Sequence, residues 1–274
     1  MAYATLMVHV DLDTASDARI RLAYGLADRF ESALIGVAGC APRSPIVAEG
    51  AAMDPTLMKR DLDDMAAQLK RRGDQFLAIA KKGSRKIEWR SDLDFPTDVI
   101  SHEARAADLV IIGREPVSGD AYRSLNPGNV LLNTGRPVLV TPSGLNTLRA
   151  QRVMIAWKET RESRRAVVDA LPFLHDAEKV FIVEVCEEGE EEKAQHHLRD
   201  VMKFLERHRI TTSAGVMLHV VGSATDELLR IIQEEQIDLL VAGAYGHSRL
   251  GEWAFGGVTR DLLARSPICC LFSH

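Results

Sequence analysis

The sequence is short of cysteine, of positive charge and of long apolar runs, and each shortage excludes a class of protein. Four cysteines in 274 residues, with no CxxC pair, are too few for a disulfide scaffold or a zinc ribbon. They lie in or beside apolar stretches, where a reduced thiol acts as a small hydrophobe. A net charge of −5 and a pI near 6.0 leave no basic footprint for nucleic acid, whose phosphates are bound by clustered Lys and Arg. No stretch approaches the ~18 apolar residues of a membrane span. The start, MAYATLMVHVDLD, has no basic segment, and His9 and Asp11 break its apolar run; it does not read as a signal peptide. A cytoplasmic chain without membrane or nucleic-acid partners is expected. Signatures of hydrolases and standard nucleotide folds are also missing: there is no GxSxG, HExxH or GK[ST], and no GxGxxG after a first strand. No catalytic residue and no metal site is assigned. Glu192 and His196 share one helix face at i, i+4, but without an identifiable third ligand they read as part of a solvated acidic face.

What is present is one unit written twice. Ala107-Asp-Leu-Val-Ile-Ile-Gly113 is echoed by Ile237-Asp-Leu-Leu-Val-Ala-Gly243, and Arg136-Pro-Val-Leu-Val140 by Ser266-Pro-Ile-Cys-Cys270. In both, glycine and proline lie 24 residues apart. Upstream, Leu6-Met-Val-His-Val-Asp11 matches Val153-Met-Ile-Ala-Trp-Lys158. The spacing between copies shortens from 147 residues at that end to 130 at the other, so the first copy carries an insertion, placed between Cys40 and Arg85. Thr141-Pro-Ser-Gly-Leu-Asn-Thr147 reads as the linker. The expected domains are 1–143 and 150–274.

Apolar runs alternate with stretches of helical period throughout. Copy one predicts strands at 5–10, 33–38, 86–90, 108–112 and 137–141, with helices at 16–30, 57–82 and 97–106. Copy two predicts strands at 152–157, 179–185, 214–220, 238–242 and 267–272, with helices at 162–174, 190–208, 225–235 and 257–265. Uniformly apolar strands joined by crossover helices make parallel sheets covered on both faces. The fold class is α/β: two tandem, doubly wound, Rossmann-like domains.

In such sheets ligands bind beyond the carboxyl ends of the strands, where strand order reverses. The stretch Gly-Ala-Tyr-Gly-His-Ser-Arg-Leu-Gly-Glu-Trp-Ala-Phe-Gly-Gly-Val-Thr, residues 243–259, occupies that edge. Gly243 closes a strand, Gly246 permits a close turn, and Gly256 and Gly257 open the next helix, whose first amides lack intrahelical partners and favour an anion. The same glycines could merely shape a turn and a helix entry.

The spacing Gly243-x2-Gly246-x9-Gly256, after an Asp-led strand and before a Pro-led last strand, resembles the nucleotide motif of the universal stress protein family, in its tandem form. The resemblance implies a stress-associated regulatory or binding protein that takes ATP or AMP, with or without magnesium, and has no defined turnover beyond at most a weak ATPase. It implies a C-terminal site of Gly243, Gly246, His247, Arg249, Gly256, Gly257, Val258 and Thr259, with Ala156, Lys158 and Val185 at the ends of the first two strands of that copy. The family ends its motif in Gly followed by Ser or Thr; here Gly257 takes the hydroxyl position and Thr259 follows two residues on. Lys158 stands where the family has the ribose-binding Asp. Copy one keeps Asp11 and Val37 but only the first motif glycine, with Pro116 and Pro127 where amides are needed. It reads as a degenerate, structural half. The family also pairs its last strands across a dimer axis, so the two copies are expected to join to each other that way, with further homodimerisation open. The alternatives are an adenine-nucleotide hydrolase or adenylating enzyme of the same fold, and a scaffold with vestigial clefts. Trp253 and Phe255 read as packing residues, Cys269 and Cys270 as core residues on opposite strand faces, and Asp11 as a steadying group for the turn that follows it.

Overall fold

The computed structural model describes residues 2–12, 16–43, 55–80, 85–114, 120–219, 223–245 and 257–274. The first half runs β1 (Thr5–His9), α1 (Asp17–Arg29), β2 (Ala33–Gly39), α2 (Pro55–Ala80), β3 (Ile87–Asp92), α3 (Pro96–Glu103), β4 (Leu109–Gly113), α4 (Pro127–Asn133) and β5 (Val138–Thr141). The second runs β6 (Arg152–Trp157), α5 (Arg161–Asp169), α6 (Leu171–His175), β7 (Lys179–Cys186), α7 (Glu191–Arg207), β8 (Ala214–His219), α8 (Ala224–Glu234), β9 (Leu239–Gly243), α9 (Gly257–Arg265) and β10 (Cys269–Ser273).

The strands form one sheet of ten, in the order β3-β2-β1-β4-β5-β10-β9-β6-β7-β8. Every pairing is parallel except that of β5 with β10, where Val140 faces Cys270 and Val138 faces Phe272 in antiparallel register. The last strand of each copy therefore meets the other, as the exposed edge of an apolar strand demands. Strand side chains alternate between two cores. Leu6, Val8, Val153, Ile155, Cys269 and Leu271 belong to one, and Met7, Met154, Cys270 and Phe272 to the other. Helices α1, α2, α5, α6 and α7 cover the first face through residues such as Ile20, Phe76, Val167, Phe173 and Val201. Helices α3, α4, α8 and α9 cover the second through Ile100, Val130, Ile231 and Leu262. The alternation of Cys269 and Cys270 is as expected, and both are buried thiols.

The repeated aspartate has the same task in each half. The Asp108 carboxylate accepts from the amides of Ala4 and Thr5, at 2.7 and 2.9 Å. Asp238 accepts from those of Gln151 and Arg152, at 3.0 and 2.9 Å. One carboxylate thus pins the start of the central strand to the neighbouring strand, satisfying amides that the ladder leaves unpaired.

Local chemistry explains the element ends and two departures from expectation. Thr160 and Ser223 cap α5 and α8 by accepting from Ser163 N and Asp226 N. The single helix expected over 162–174 is two, because Pro172 has no N–H to donate to the carbonyl of Val168; α5 ends at Asp169 and α6 restarts at Leu171. The sequence reading also omits α4, a seven-residue helix started by the Asn126 cap and Pro127. It is too short to show a clear helical period.

The halves share packing as well as a sheet. Tyr3 and Phe30 from the first half meet Phe173 of the second, with Phe30 edge-on to both Tyr3 and Phe173 at 5.3 and 5.1 Å between centroids. Arg29 donates to Asp176 at 3.1 Å. Leu148 and Ala150, just beyond the linker, are buried in the first core. No helix among the described residues is long and apolar enough to cross a membrane.

Candidate functional site

In the second half, strand order reverses between β6 and β9. These are parallel neighbours, with Ala156 beside Ala242, yet α5 leaves β6 over one face and α9 leaves β9 over the other. A crevice opens between diverging connections at this point.

Gly243, at the mouth, is required by close approach. A Cβ there would stand 2.5 Å from the amide nitrogen of Ser163 and 2.7 Å from the carbonyl carbon of Glu162. The first turn of α5 therefore rests on the end of β9. Ala156 and Val185 are half-buried on the second face, and Lys158 is exposed just past β6. Gly257 and Val258 are exposed at the start of α9. Thr259 is buried, and its Oγ1 accepts from the Tyr245 amide at 3.4 Å, joining the exit of β9 to the entrance of α9. Gly246, His247, Arg249 and Gly256, with Trp253 and Phe255, lie outside the described residues.

The two helix starts at this crevice differ electrostatically. That of α5 already holds a carboxylate: Glu162 is 3% exposed and accepts from Arg161 Nε at 2.5 Å. Burial pushes the Glu162 pKa up, but its hydrogen bonds from Arg161, its own backbone and Thr160 outweigh that and hold it below the usual value. The first turn of α9 contains no acidic residue. Of the two, α9 is the one whose first turn, among the described residues, carries no carboxylate to offset the positive dipole end that favours an anion.

The matching point of the first half is filled by its own side chains. Asp11, beyond β1, accepts from the guanidinium of Arg19 on α1 and from the Ser16 hydroxyl at 3.3 Å. Arg19 Nε also donates to the His9 carbonyl at 2.9 Å. Burial disfavours the Asp11 charge, but His9, Arg19 and Ser16 overcome it and bring the pKa down to about 2. Asp11 is tied to Ser16 a second time, since its amide donates to Ser16 Oγ at 2.9 Å; the turn it is expected to steady, residues 13–15, lies outside the described residues. Arg19 was not singled out by sequence reasoning; its i, i+3 spacing from Ser16 was the available hint. At the other helix start, Asn126 Oδ1 accepts from Asn129 N, and Pro127 offers no amide. Val37 is fully buried.

The solvated face expected around Glu192 and His196 holds for those two residues, but not for the adjacent His197. His196 is exposed and lies 3.3 Å from Asp200, whereas His197 turns inward and its Nδ1 is 3.0 Å from the buried Glu184 of β7. Among the described residues no cluster of three His, Cys, Asp or Glu could hold a metal.

Comparison with known proteins agrees with this architecture. Residues 150–273 match the model of the universal stress protein family. A universal stress protein of Synechocystis is 25% identical over 222 residues, covering 76% of this chain and 74% of the relative. Among solved structures, a universal stress protein from Archaeoglobus fulgidus superposes with a TM-score of 0.69 at 15% identity, covering 98% of this chain and 95% of its own. A functionally unknown protein from Pseudomonas aeruginosa PAO1 gives 0.62 at 14% identity, covering 99% and 92%. At these identities the structures have the fold in common. The fold is therefore that of a tandem universal stress protein: residues 150–273 match the family model, and the N-terminal half repeats their topology in one continuous sheet.

Proposed function

We propose that this chain is a tandem universal stress protein that binds an adenine nucleotide, ATP or AMP, in the crevice between β6 and β9, and serves as a binding or regulatory protein rather than as an enzyme of defined turnover. The observation that carries this reading is the contrast between the helix starts. Only α9 combines exposed glycine-led amides with a first turn free of carboxylates, the arrangement that favours phosphate. Gly243, Gly246, Gly256, Gly257, Val258 and Thr259 are the proposed phosphate segment, with His247 and Arg249 able to close over it. Lys158 supplies a cation where the family has a ribose acceptor, and Ala156 and Val185 form the apolar floor. Where magnesium accompanies ATP, the nucleotide's own phosphates are its main ligands.

We assign no nucleotide to the first half. Arg19 already neutralises Asp11, and Asn126 with Pro127 already caps α4, so an anion or a ribose would have to displace internal partners. The proposed domains, 1–143 and 150–274, thus divide into a structural half and a ligand-binding half.

Calorimetric titration of the full chain with ATP, ADP and AMP, with and without magnesium, tests the proposal. The expected result is one saturable site per chain. Thermal unfolding with a ligand at 100 times its dissociation constant should show stabilisation of ~2.7 kcal/mol. Absence of both heat and stabilisation at millimolar nucleotide would refute it and leave the scaffold reading.

A further inference from the structure

A second cleft lies on the opposite face of the same half, between α5 and α7. Its volume is 310 Å³, within the range of small-molecule sites and at the size of a one- or two-ring compound. Val167 and Val168 of α5 and Val201 and Phe204 of α7 form its apolar walls, and His197 contributes the buried polar edge. Val168 is 51% exposed, one of few large apolar side chains so displayed among the described residues.

His197 is held rather than loose. Its Nδ1 lies 3.0 and 3.3 Å from the two oxygens of Glu184, and both side chains are largely buried. An ionised carboxylate can only accept, so Nδ1 carries a proton, and in the Nδ1–H tautomer this selects, Nε2 is an acceptor. With Nδ1 committed to Glu184, the remaining ring edge is what His197 offers the cleft. The cation at the mouth, Arg164, is engaged by Glu159, so the lining supplies no unpaired positive charge for an anion. The two lining carboxylates, Glu159 and Asp200, are paired with Arg164 and His196, which leaves His197 as an acceptor and the buried Trp157 Nε1, without a partner among the described residues, as a donor. An apolar slot with these two groups fits an uncharged aromatic molecule bearing one hydroxyl.

We propose that the α5–α7 cleft is a binding site for small hydroxylated aromatic compounds, with His197 accepting the hydroxyl proton and Glu184 orienting the ring. This site is independent of the nucleotide crevice. Trp157 lines it from the first face of the sheet, whereas Ala156 and Val185 belong to the second.

The test is titration of the full chain with 2-naphthol and with naphthalene, followed by ligand-observed NMR, in wild type, His197→Phe and Val168→Glu. Saturable 2-naphthol binding is expected, weakened at least tenfold by either substitution. His197→Phe should leave naphthalene affinity unchanged, because the apolar walls remain. Val168 is half exposed, so Val168→Glu tests the cleft without threatening the fold. The proposal is overturned by an absence of saturable binding, by equal 2-naphthol affinity in wild type and either variant, or by displacement of 2-naphthol by AMP.

Discussion

Gly243 and Ser163 are packed so closely that no side chain fits between them: a Cβ on the glycine would meet the serine amide nitrogen at 2.5 Å. The end of β9 and the first turn of α5 thereby fix the width of the crevice in which the nucleotide is proposed to bind. Gly243→Ala must push backbone against backbone. It is expected to destabilise the protein by about 1–3 kcal/mol and to weaken nucleotide binding. Urea unfolding and calorimetry of the variant check both, and unchanged stability would mean that the contact is looser than described.

Lys158 offers a cleaner separation of binding from folding. It is exposed, so Lys158→Ala should change stability by no more than about 0.5 kcal/mol. As a phosphate partner it should matter more for ATP than for AMP. Severalfold weaker ATP binding with smaller loss for AMP is expected in parallel titrations, and equal affinities in wild type and variant would remove Lys158 from the site.

The aromatic contact between halves predicts cooperative unfolding. Phe173 is fully buried against Tyr3 and Phe30. Its truncation to alanine should cost about 3–5 kcal/mol. Wild type should unfold in one transition, with far-ultraviolet circular dichroism and tryptophan emission coinciding. Two separated transitions would show that the halves are stable apart.

His9 gives a pH dependence of known sign. It is completely buried, and loss of hydration pulls its pKa down to about 4, against the pull of Asp11 and with help from Arg19. The unfolded chain, with an ordinary histidine pKa of about 6.5, binds the proton more readily than the folded one. Stability from this group is therefore complete above about pH 6.5 and falls as pH drops towards 4, by an amount on the order of 3 kcal/mol. Denaturant unfolding of wild type and His9→Met between pH 7 and 4 measures it. Equal pH slopes in the two proteins would sink the assignment.

Much of the fold was legible in the chain itself. The paired Asp-led strands, the Gly-to-Pro spacing and the alternation of apolar runs with helical stretches place nearly every element; the apolar last strands call for a partner, and the family resemblance implies the β5–β10 junction. Less of the candidate site was legible. Glycine spacing pointed to the segment after β9, but nothing near Gly243 announced that the contact forbidding a side chain there comes from Ser163, 80 residues upstream. The roles of Arg19 and His197 were likewise hidden, one inside a helix read for its apolar stripe and the other inside an acidic stretch that looked solvated.

What the sequence determined is the repeat, the strand and helix pattern and the two-faced burial of the inner strands, though not the exposure of the edge strand β3, because periodicity records which side of a local segment leaves water. What only the tertiary structure decided is which polar groups find each other: Arg19 with Asp11, His197 with Glu184, and the unequal charge at the starts of α5 and α9. Such pairings depend on distances between elements that strand order and helix packing set, and no local pattern of residues encodes those distances.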